Sequence, residues 1–349
     1  MGKYVIDGLF LTQTISGIQR FSYELTAELD KIAKKDEFEI LVPDDTEVPV
    51  DYQNIKVIRY GKHHGILWQQ LDYGGYVRKN RKACLCLTNI IPLSWAKGCV
   101  VIHDVCYKAK PEFFTGVRGT ASALWHRINY WFVSRSKMKI FTVSEFSKSE
   151  IIRYYHVEPE RISIFWNAWQ HMERINATSD VFDRYTQLIP EKYFFSMSNL
   201  APNKNLQWIL SAARNNPEYQ FAVAGGGSFE QLMERMEFKD LHNIYFLGYV
   251  SDEDAKALLA HCKAFIFPTF YEGFGIPPLE AVACGAPEII VSDTPCMREV
   301  YGKYAHYIDP KDYSYVFPEI MEKKDYSGLL EKYSWNKSAE KILRTVRIK

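Results

Sequence analysis

Two glutamates, Glu272 and Glu280, bracket a short loop that contains Gly273 and Gly275. The loop follows an apolar run typical of a buried strand, and it ends at Pro277, a residue type that is tolerated in the first turn of a helix. This order predicts a strand, a glycine loop and a helix whose first turn offers unpaired backbone N–H groups to an anion such as phosphate. Carboxylates do not hold phosphate, but they accept hydrogen bonds from hydroxyls. The stretch therefore predicts a ligand that carries both phosphate and sugar.

The two glutamates, with Gly-Phe-Gly between them, resemble the E-x7-E signature of the retaining GT-B glycosyltransferases of family 4. On its own, the pair is also compatible with a surface turn before a proline-capped helix. Further motifs in the order that the family shows favour the resemblance, at 246–252, 285–287, 292–295 and 309–310. The resemblance extends over most of the chain. It implies an α/β protein of the GT-B fold, with two doubly wound Rossmann-like domains that face each other across a cleft.

Length and composition agree with this fold class. The 349 residues suit two domains better than one core, and 47% hydrophobic with 24% charged residues is ordinary for globular proteins. A formal net charge of +1 argues against nucleic acid as a partner. The seven cysteines are odd in number and lack paired metal-ligand spacing, which predicts reduced thiols in a cytoplasmic protein. We expect no signal peptide, and no apolar run approaches the length of a membrane span.

Alternating strand and helix patterns predict the limits of the two domains. We expect the first domain at 1–172, an interdomain linker in the polar stretch 170–186, and the second domain at 187–334. A final helix at 335–349 carries an apolar stripe of helical period. By the resemblance, this helix crosses back to the first domain.

Two sites in the first domain are candidates for donor binding. Ser16 and Gly17 are predicted to begin a helix, where a glycine allows close approach of a ligand, although a plain helix cap fits as well. The resemblance places Gly17 beside the donor diphosphate and leaves Arg20 open between a ligand contact and an ion pair. His103 and Asp104 follow a predicted strand, at the sheet edge where ligands bind. A pair that only holds a loop is the alternative, whereas the resemblance places His103 near the donor sugar, with Asp104 orienting it.

The loop 198–205 of the second domain departs from the family pattern. The family often has an arginine and a lysine here, both on the donor phosphates. Lys204 is retained, but Asn199 stands in place of the arginine, and Ala168 replaces a usual glycine elsewhere. We therefore expect Lys204 and backbone N–H groups to hold more of the phosphate, although a lysine before a helix is most often a solvated surface group.

The resemblance also implies how the site residues act together. The predicted catalytic residues are His103, Glu272 and Lys204, and the predicted donor-binding residues are Gly17, Asn199, Lys204, Gly273, Phe274, Gly275, Ile276 and Glu280. Glu280 is expected to bind the ribose hydroxyls, and Glu272 and His103 the donor sugar. Lys204 is expected to stabilise the charge that develops on the leaving diphosphate. The transfer is expected to retain the anomeric configuration, and we predict an enzyme that needs no metal and no cofactor besides its nucleotide-sugar substrate.

The sequence looks similar to bacterial mannosyl- and rhamnosyltransferases that build surface polysaccharide. This favours transfer of a hexosyl unit from a nucleotide diphosphate sugar to a hydroxyl of a glycan or polyprenyl-linked acceptor. Among the possible donors, it favours GDP-mannose. A sugar-nucleotide epimerase of the same architecture is one alternative, and it would turn over the donor without an acceptor. A non-catalytic scaffold that binds a sugar nucleotide is another, because Asn199 and Ala168 depart from the family pattern. Retention of the other site residues favours the enzyme.

The segment 107–139 combines many basic and aromatic residues with a single acid, Glu112. Such a helix suits the surface of an anionic membrane. It equally fits a core helix with inward aromatic rings and solvated cations, because aromatic spacing alone does not orient a helix. The first alternative predicts peripheral association with the inner face of the cell membrane, where this segment docks a lipid-linked acceptor.

Overall fold

The structure is a computed structural model that describes residues 4–197, 199–226, 238, 240–318 and 324–347. The chain divides into two compact units. One unit comprises the residues up to Asn167 and those from Ser334 onward, and the other comprises Ala168–Tyr333. The chain thus passes from the first unit to the second after Asn167, which is earlier than the domain limit of 172 expected from the sequence.

The described residues of the first unit form one parallel sheet. Its strands are β1 (Tyr4–Asp7), β2 (Phe38–Val42), β3 (Lys56–Arg59), β4 (Ala83–Cys86), β5 (Gly98–Val101), β6 (Lys139–Thr142) and β7 (Ile162–Ile164). They lie in the order β3-β2-β1-β4-β5-β6-β7, and every pair is parallel. Helices cover both faces of such a sheet, which is why a strand such as β4 is a continuous apolar run. The order reverses beside β1, and ligands bind at that type of position in doubly wound sheets.

The helices of this unit connect successive strands. They are α1 (Gly17–Ile32), α2 (Gly65–Leu67), α3 (Gly74–Lys79), α4 (Cys106–Ala109), α5 (Gly116–Arg135) and α6 (Glu145–Tyr155). A π-helical turn, Trp68–Tyr73, joins α2 to α3. Helix α6 begins after Ser144, whose hydroxyl accepts a hydrogen bond from the Ser147 N–H. Ser144 is therefore the N-cap of this helix.

The second unit repeats the doubly wound plan. Its strands are β8 (Tyr193–Met197), β9 (Gln220–Ala224), β10 (Ile244–Gly248), β11 (Ala264–Phe267), β12 (Ile289–Ser292) and β13 (His306–Ile308), parallel and in the order β10-β9-β8-β11-β12-β13. Its described helices are α7 (Val181–Arg184), α8 (Leu206–Asn215), α9 (Asp252–Ala260), α10 (Pro277–Ala283), α11 (Pro295–Tyr301) and α12 (Ser327–Lys332). Ser198, the first residue of the predicted loop 198–205, lies outside the described residues.

The stretch 170–186 is an integral part of the second unit, so its interpretation as a linker is wrong. Residues Gln170–Arg174 form a 3-10 turn in which His171 and Met172 are buried. The Lys256 ammonium of α9 donates hydrogen bonds to the carbonyl oxygens of Met172 at 2.7 Å and Ile175 at 2.8 Å. A side chain from outside the stretch thus satisfies two of its backbone carbonyls, and the polar composition of the stretch does not indicate this packing.

The last helix, α13 (Trp335–Arg347), completes the first unit. Its apolar stripe packs against α1, whose Phe21, Leu25 and Leu29 are buried in turn. The rings of Phe21 and Trp335 lie 5.8 Å apart between centroids. The described part of this helix belongs to the first unit, and residues 348–349 of the predicted helix lie outside the described residues.

In the described part of the chain, no helix combines the length and the apolar character needed to cross a bilayer.

Candidate active site

The glycine loop connects the end of β11 to the start of α10, as the sequence predicts. Gly275 has a φ of +77°, and a Cβ there would lie 2.6 Å from the Met297 Cε atom. The Tyr301 hydroxyl donates a hydrogen bond to the Gly275 carbonyl. The backbone conformation therefore favours glycine at 275, and a larger residue would also have to displace the end of the Met297 side chain.

Two predicted donor-binding side chains in this loop belong to the core. Phe274 and Ile276 are buried, and the Phe274 ring packs edge-on against Tyr333 with centroids 5.1 Å apart. These side chains anchor the loop in the core. Because they are buried, a ligand can contact these two residues only at their backbone atoms.

Lys204 and Glu272 form an ion pair, with Nζ and Oε1 2.6 Å apart. The side chains are 21% and 14% exposed, so the pair sits at the rim of the protein surface. Lys204 follows β8 and Glu272 follows the neighbouring strand β11. The carboxyl ends of parallel neighbours share one sheet edge, which is why two residues so far apart in sequence meet.

Three hydrogen bonds fix the backbone around this pair. The Phe270 N–H donates to the Asn203 carbonyl at 2.8 Å. Asn205, in the left-handed conformation at φ +56°, donates from Nδ2 to the carbonyl oxygens of Pro268 at 2.9 Å and Pro310 at 2.8 Å. The ion pair therefore rests on a fixed backbone.

Asn199, which stands where the family often has arginine, stabilises its own loop. Its Oδ1 accepts a hydrogen bond from the Ala201 N–H at 3.1 Å, while the residue is exposed. This local turn is a common use of asparagine. It supplies no charge to replace that of the arginine.

Glu280 lies in the first turns of α10, and its partner is His171. The Nε2 atom of His171 lies 2.8 Å from Oε1 of Glu280. The histidine side chain is 2% exposed and the glutamate 13%. His171 is not among the site residues predicted from the sequence, because it falls in the supposed linker. The signal available was Trp166 and Trp169 just before it, since two tryptophans so close together are unusual in a solvated linker.

His103 lies at the end of β5 in the first unit, and it is 7% exposed. Its Nε2 atom lies 3.0 Å from the Leu87 carbonyl oxygen, so Nε2 carries the hydrogen and donates it. The ring meets the Phe21 ring edge-on at 4.6 Å between centroids. Burial lowers the pKa of His103 to about 4, against a smaller opposing effect of the Leu87 carbonyl. The ring is therefore neutral at physiological pH and presents Nδ1 as an acceptor.

Gly17 begins α1 and is exposed. Its φ is not positive, and a Cβ added there would meet no atom of the described residues within 4 Å. The fold therefore imposes no steric demand for glycine at this position. Its open surroundings leave the backbone accessible to a ligand.

The predicted site residues thus fall into two groups. The second unit holds Asn199, Lys204, Glu272, the loop 273–276 and Glu280, while the first unit holds Gly17 and His103. The first group includes two carboxylates, each joined to a basic side chain, around a glycine loop. Among the described residues, no cluster of three His, Cys, Asp or Glu side chains is arranged to hold a metal ion.

Comparison with known proteins identifies the relatives of this chain. Residues 183–323 match the family described as glycosyl transferases group 1. The O-antigen chain mannosyltransferase B of Escherichia coli is 30% identical over 270 residues, which cover 73% of this chain and 67% of that protein. The O-antigen chain mannosyltransferase RfbU of Salmonella typhimurium is 28% identical over 247 residues, covering 68% of this chain and 63% of that protein.

Solved structures of the same architecture cover nearly the whole chain. HepE of Anabaena, solved in complex with UDP and glucose, has a TM-score of 0.63 at 15% identity and covers 98% of this chain and 94% of its own. WaaG, a glycosyltransferase involved in lipopolysaccharide biosynthesis, has a TM-score of 0.60 at 15% identity and covers 99% and 90%. Two Rossmann-like units, each built on a parallel sheet, define the GT-B class.

Within that class, the chain belongs to the group 1 glycosyltransferases, and it is a transferase.

Proposed function

We propose that this protein transfers a mannosyl unit from GDP-mannose to a hydroxyl of a glycan or polyprenyl-linked glycan during synthesis of bacterial surface polysaccharide. The observation that carries the proposal is the pair of carboxylates around the glycine loop, each next to a basic side chain, in a chain whose relatives are O-antigen mannosyltransferases. Binding of UDP by HepE supports a nucleotide diphosphate sugar as the donor class.

Each predicted site residue of the second unit has a separate role in this proposal. Glu280 binds the ribose hydroxyls, and the backbone of the loop 273–276 contacts the diphosphate. Lys204 stabilises the charge that develops on the diphosphate as the glycosidic bond breaks, and such electrostatic stabilisation is expected to contribute most to the rate of this kind of transfer. Glu272 accepts hydrogen bonds from the sugar. In the first unit, Gly17 and His103 keep the roles predicted from the sequence, with His103 acting as a neutral acceptor through Nδ1.

The chemical step proceeds with retention at the anomeric carbon. The acceptor hydroxyl attacks on the side of the leaving group, and its proton passes to a donor phosphate oxygen. We propose that no metal takes part, because Lys204 and backbone N–H groups supply the charge stabilisation.

A thermal-shift screen tests the donor. GDP-, UDP-, dTDP- and CDP-sugars are compared, since a ligand bound only by the native state stabilises it by about 2.7 kcal/mol at a hundred times its Kd. We expect GDP-mannose to raise Tm, and Glu280→Ala and Lys204→Ala to abolish the shift. Glu218→Ala is the matched control, an exposed carboxylate between α8 and β9 at the opposite edge of the sheet. A shift with only another nucleotide class would replace GDP-mannose, and no shift with any of them would argue against the donor class.

We further propose that α5 docks on an anionic membrane. Its exposed apolar side chains are Val117, Leu124, Ile128, Trp131 and Phe132. At about 100° per residue these positions lie on one face of the helix, within an arc of roughly 100°. The buried residues Ala123, Tyr130 and Val133 lie on the opposite face.

Charge on α5 fits the same partner. Arg118 and Arg127 flank the apolar face, and the Arg135 guanidinium lies 5.6 Å from the centre of the exposed Trp131 ring. An apolar face bordered by cations is what an interface rich in anionic headgroups binds. The structure thus resolves the orientation of the aromatic rings that their spacing alone left open: Tyr130 is internal, and Trp131 and Phe132 are external.

Flotation with liposomes tests this second proposal. We expect binding to vesicles with about one third anionic lipid and none to neutral vesicles, because each basic residue near the surface contributes about 1 kcal/mol. Trp131→Ser and Arg127→Gln should each weaken binding, while Arg78→Gln, on α3, should not. Absence of flotation on anionic vesicles, together with full activity of Arg127, Arg135 and Lys137 variants on a lipid-linked acceptor, would refute membrane docking.

A further inference from the structure

His171 has no part in the mechanism above, although it contacts Glu280, a residue of the predicted donor site. His171 comes from the 3-10 turn at Gln170–Arg174, and Glu280 from α10. Other contacts fix the turn: the Trp169 indole N–H donates to the Leu330 carbonyl at 3.0 Å, and the Gln170 amide donates to the Tyr333 carbonyl at 2.9 Å. The histidine therefore has a defined position rather than a mobile one.

The two oxygens of Glu280 have different surroundings. Oε1 lies 2.8 Å from His171 Nε2, and since a carboxylate only accepts hydrogen bonds, Nε2 is the donor. Within the described residues, Oε2 receives no hydrogen bond, and the side chain is 13% exposed. One oxygen is thus held by the protein, and the other is left for a ligand.

A carboxylate with one free oxygen and a fixed plane suits a ribose, whose neighbouring hydroxyls both donate hydrogen bonds. A glutamate has three side-chain torsions, and an unrestrained one must lose that freedom when it binds. A partner that fixes the carboxylate beforehand removes this loss from the binding step.

We propose that His171 is a positioning residue for the donor nucleotide: it holds the Glu280 carboxylate in the plane that binds the ribose 2′- and 3′-hydroxyls, and so selects donors by their ribose. The inference rests on the proposed function, because it assigns Glu280 to the ribose. It predicts that loss of the His171 N–H affects ligands in proportion to the ribose hydroxyls that they carry. A merely structural histidine would affect all nucleotides alike.

The test compares two ligands and three forms of the full chain. Binding of GDP and of 2′,3′-dideoxy-GDP is measured by calorimetry for the native protein, His171→Gln and His171→Phe, each first shown to be folded by its thermal melt. The glutamine amide nitrogen reaches about the position of Nε2 and can donate, whereas phenylalanine fills the space without a donor. The same forms are assayed for transfer as a function of donor concentration.

We expect the native protein to prefer GDP over the dideoxy ligand by about tenfold to a hundredfold, the range of one or two hydrogen bonds to a charged acceptor. His171→Phe should reduce this preference to about threefold or less, by weakening GDP and not the dideoxy ligand, and His171→Gln should restore most of it. In transfer assays, KM for the donor should rise about tenfold in His171→Phe, with kcat within about threefold.

A preference that is unchanged in His171→Phe, or lost equally in His171→Gln, would overturn the role of His171. If His171→Phe does not fold, His171→Leu takes its place under the same criteria. Failure of the native protein to bind GDP, UDP or their sugars is a different result, since it would contradict the proposed function itself.

Discussion

Replacing Glu272 by glutamine should make the protein bind GDP more tightly while transferring sugar more slowly. The Lys204 ammonium lies 2.6 Å from Glu272 Oε1. A phosphate oxygen bound by the same ammonium at about 2.8 Å would lie only about 4.5 Å from that carboxylate oxygen. The glutamate therefore repels the group that Lys204 is proposed to bind.

The repulsion can be given a magnitude. Two unit charges 4.5 Å apart interact with about 4 kcal/mol at an effective dielectric constant of about 20. The pair is 21% and 14% exposed, so solvent screening reduces the effect, and we take about 1–2 kcal/mol. Removing this repulsion should lower the Kd for GDP about fivefold to thirtyfold. Because Glu272 is proposed to hold the donor sugar, the same change should lower turnover.

Calorimetric titration with GDP, alongside a transfer assay, measures both effects. The gain in GDP affinity should shrink when salt is raised from about 50 mM to about 500 mM, because screening weakens the repulsion in the native protein. Glu218→Gln, an exposed carboxylate remote from the ion pair, should leave both quantities unchanged. Equal or weaker GDP binding by a folded Glu272→Gln protein would refute the reasoning, because Lys204 would then not be the phosphate ligand.

Three further predictions concern the first unit and the chemistry. Asp7 is fully buried, and this burial raises the pKa of its carboxyl to about 6, so its contribution to stability is present at low pH and is lost as the pH rises through 6. The difference in unfolding free energy between the native protein and Asp7→Asn, measured in urea, should thus favour the native protein by about 1–2 kcal/mol more at pH 5 than at pH 7.5; no change with pH would contradict it. Trp335→Ala should lower the free energy of unfolding by about 3–5 kcal/mol because it empties a buried site beside Phe21, whereas the exposed Trp131→Ala should change it by less than about 1 kcal/mol; similar effects would argue against that packing. Transfer should proceed unchanged in excess EDTA, and loss of activity that manganese or magnesium restores would show that a metal is needed.

The strands and the glycine loop follow from the sequence because their signals are local. A strand such as β11 is an unbroken apolar run, and Gly275 is followed by Pro277 in the order that a loop and a helix start require. The fold class also rests on the resemblance, which the family match and the shared architecture confirm.

Other features depend on contacts between distant segments, which a local pattern does not contain. His171 is polar in a polar stretch, and only its 2.8 Å contact with Glu280 gives it a place in the site. The Lys204–Glu272 pair likewise arises from the pairing of β8 with β11. The aromatic residues of α5 have a mixed distribution, with Tyr130 inside and Trp131 outside, so no single stripe indicates which face is buried. The roles of the individual site residues stay predictions until donor binding is measured.

The return of α13 to the first unit has a consequence for how the protein is made. The apolar face of α1 is synthesised near the beginning of the chain, but its partner Trp335 leaves the ribosome after all the residues of the second unit. At about 5–20 residues per second, the face around Phe21 stays uncovered for roughly 15–60 s. All strands of the second unit are synthesised before the last helix of the first unit. Nascent chains should therefore be most prone to aggregation, and most in need of a chaperone, while the first unit waits for its closing helix.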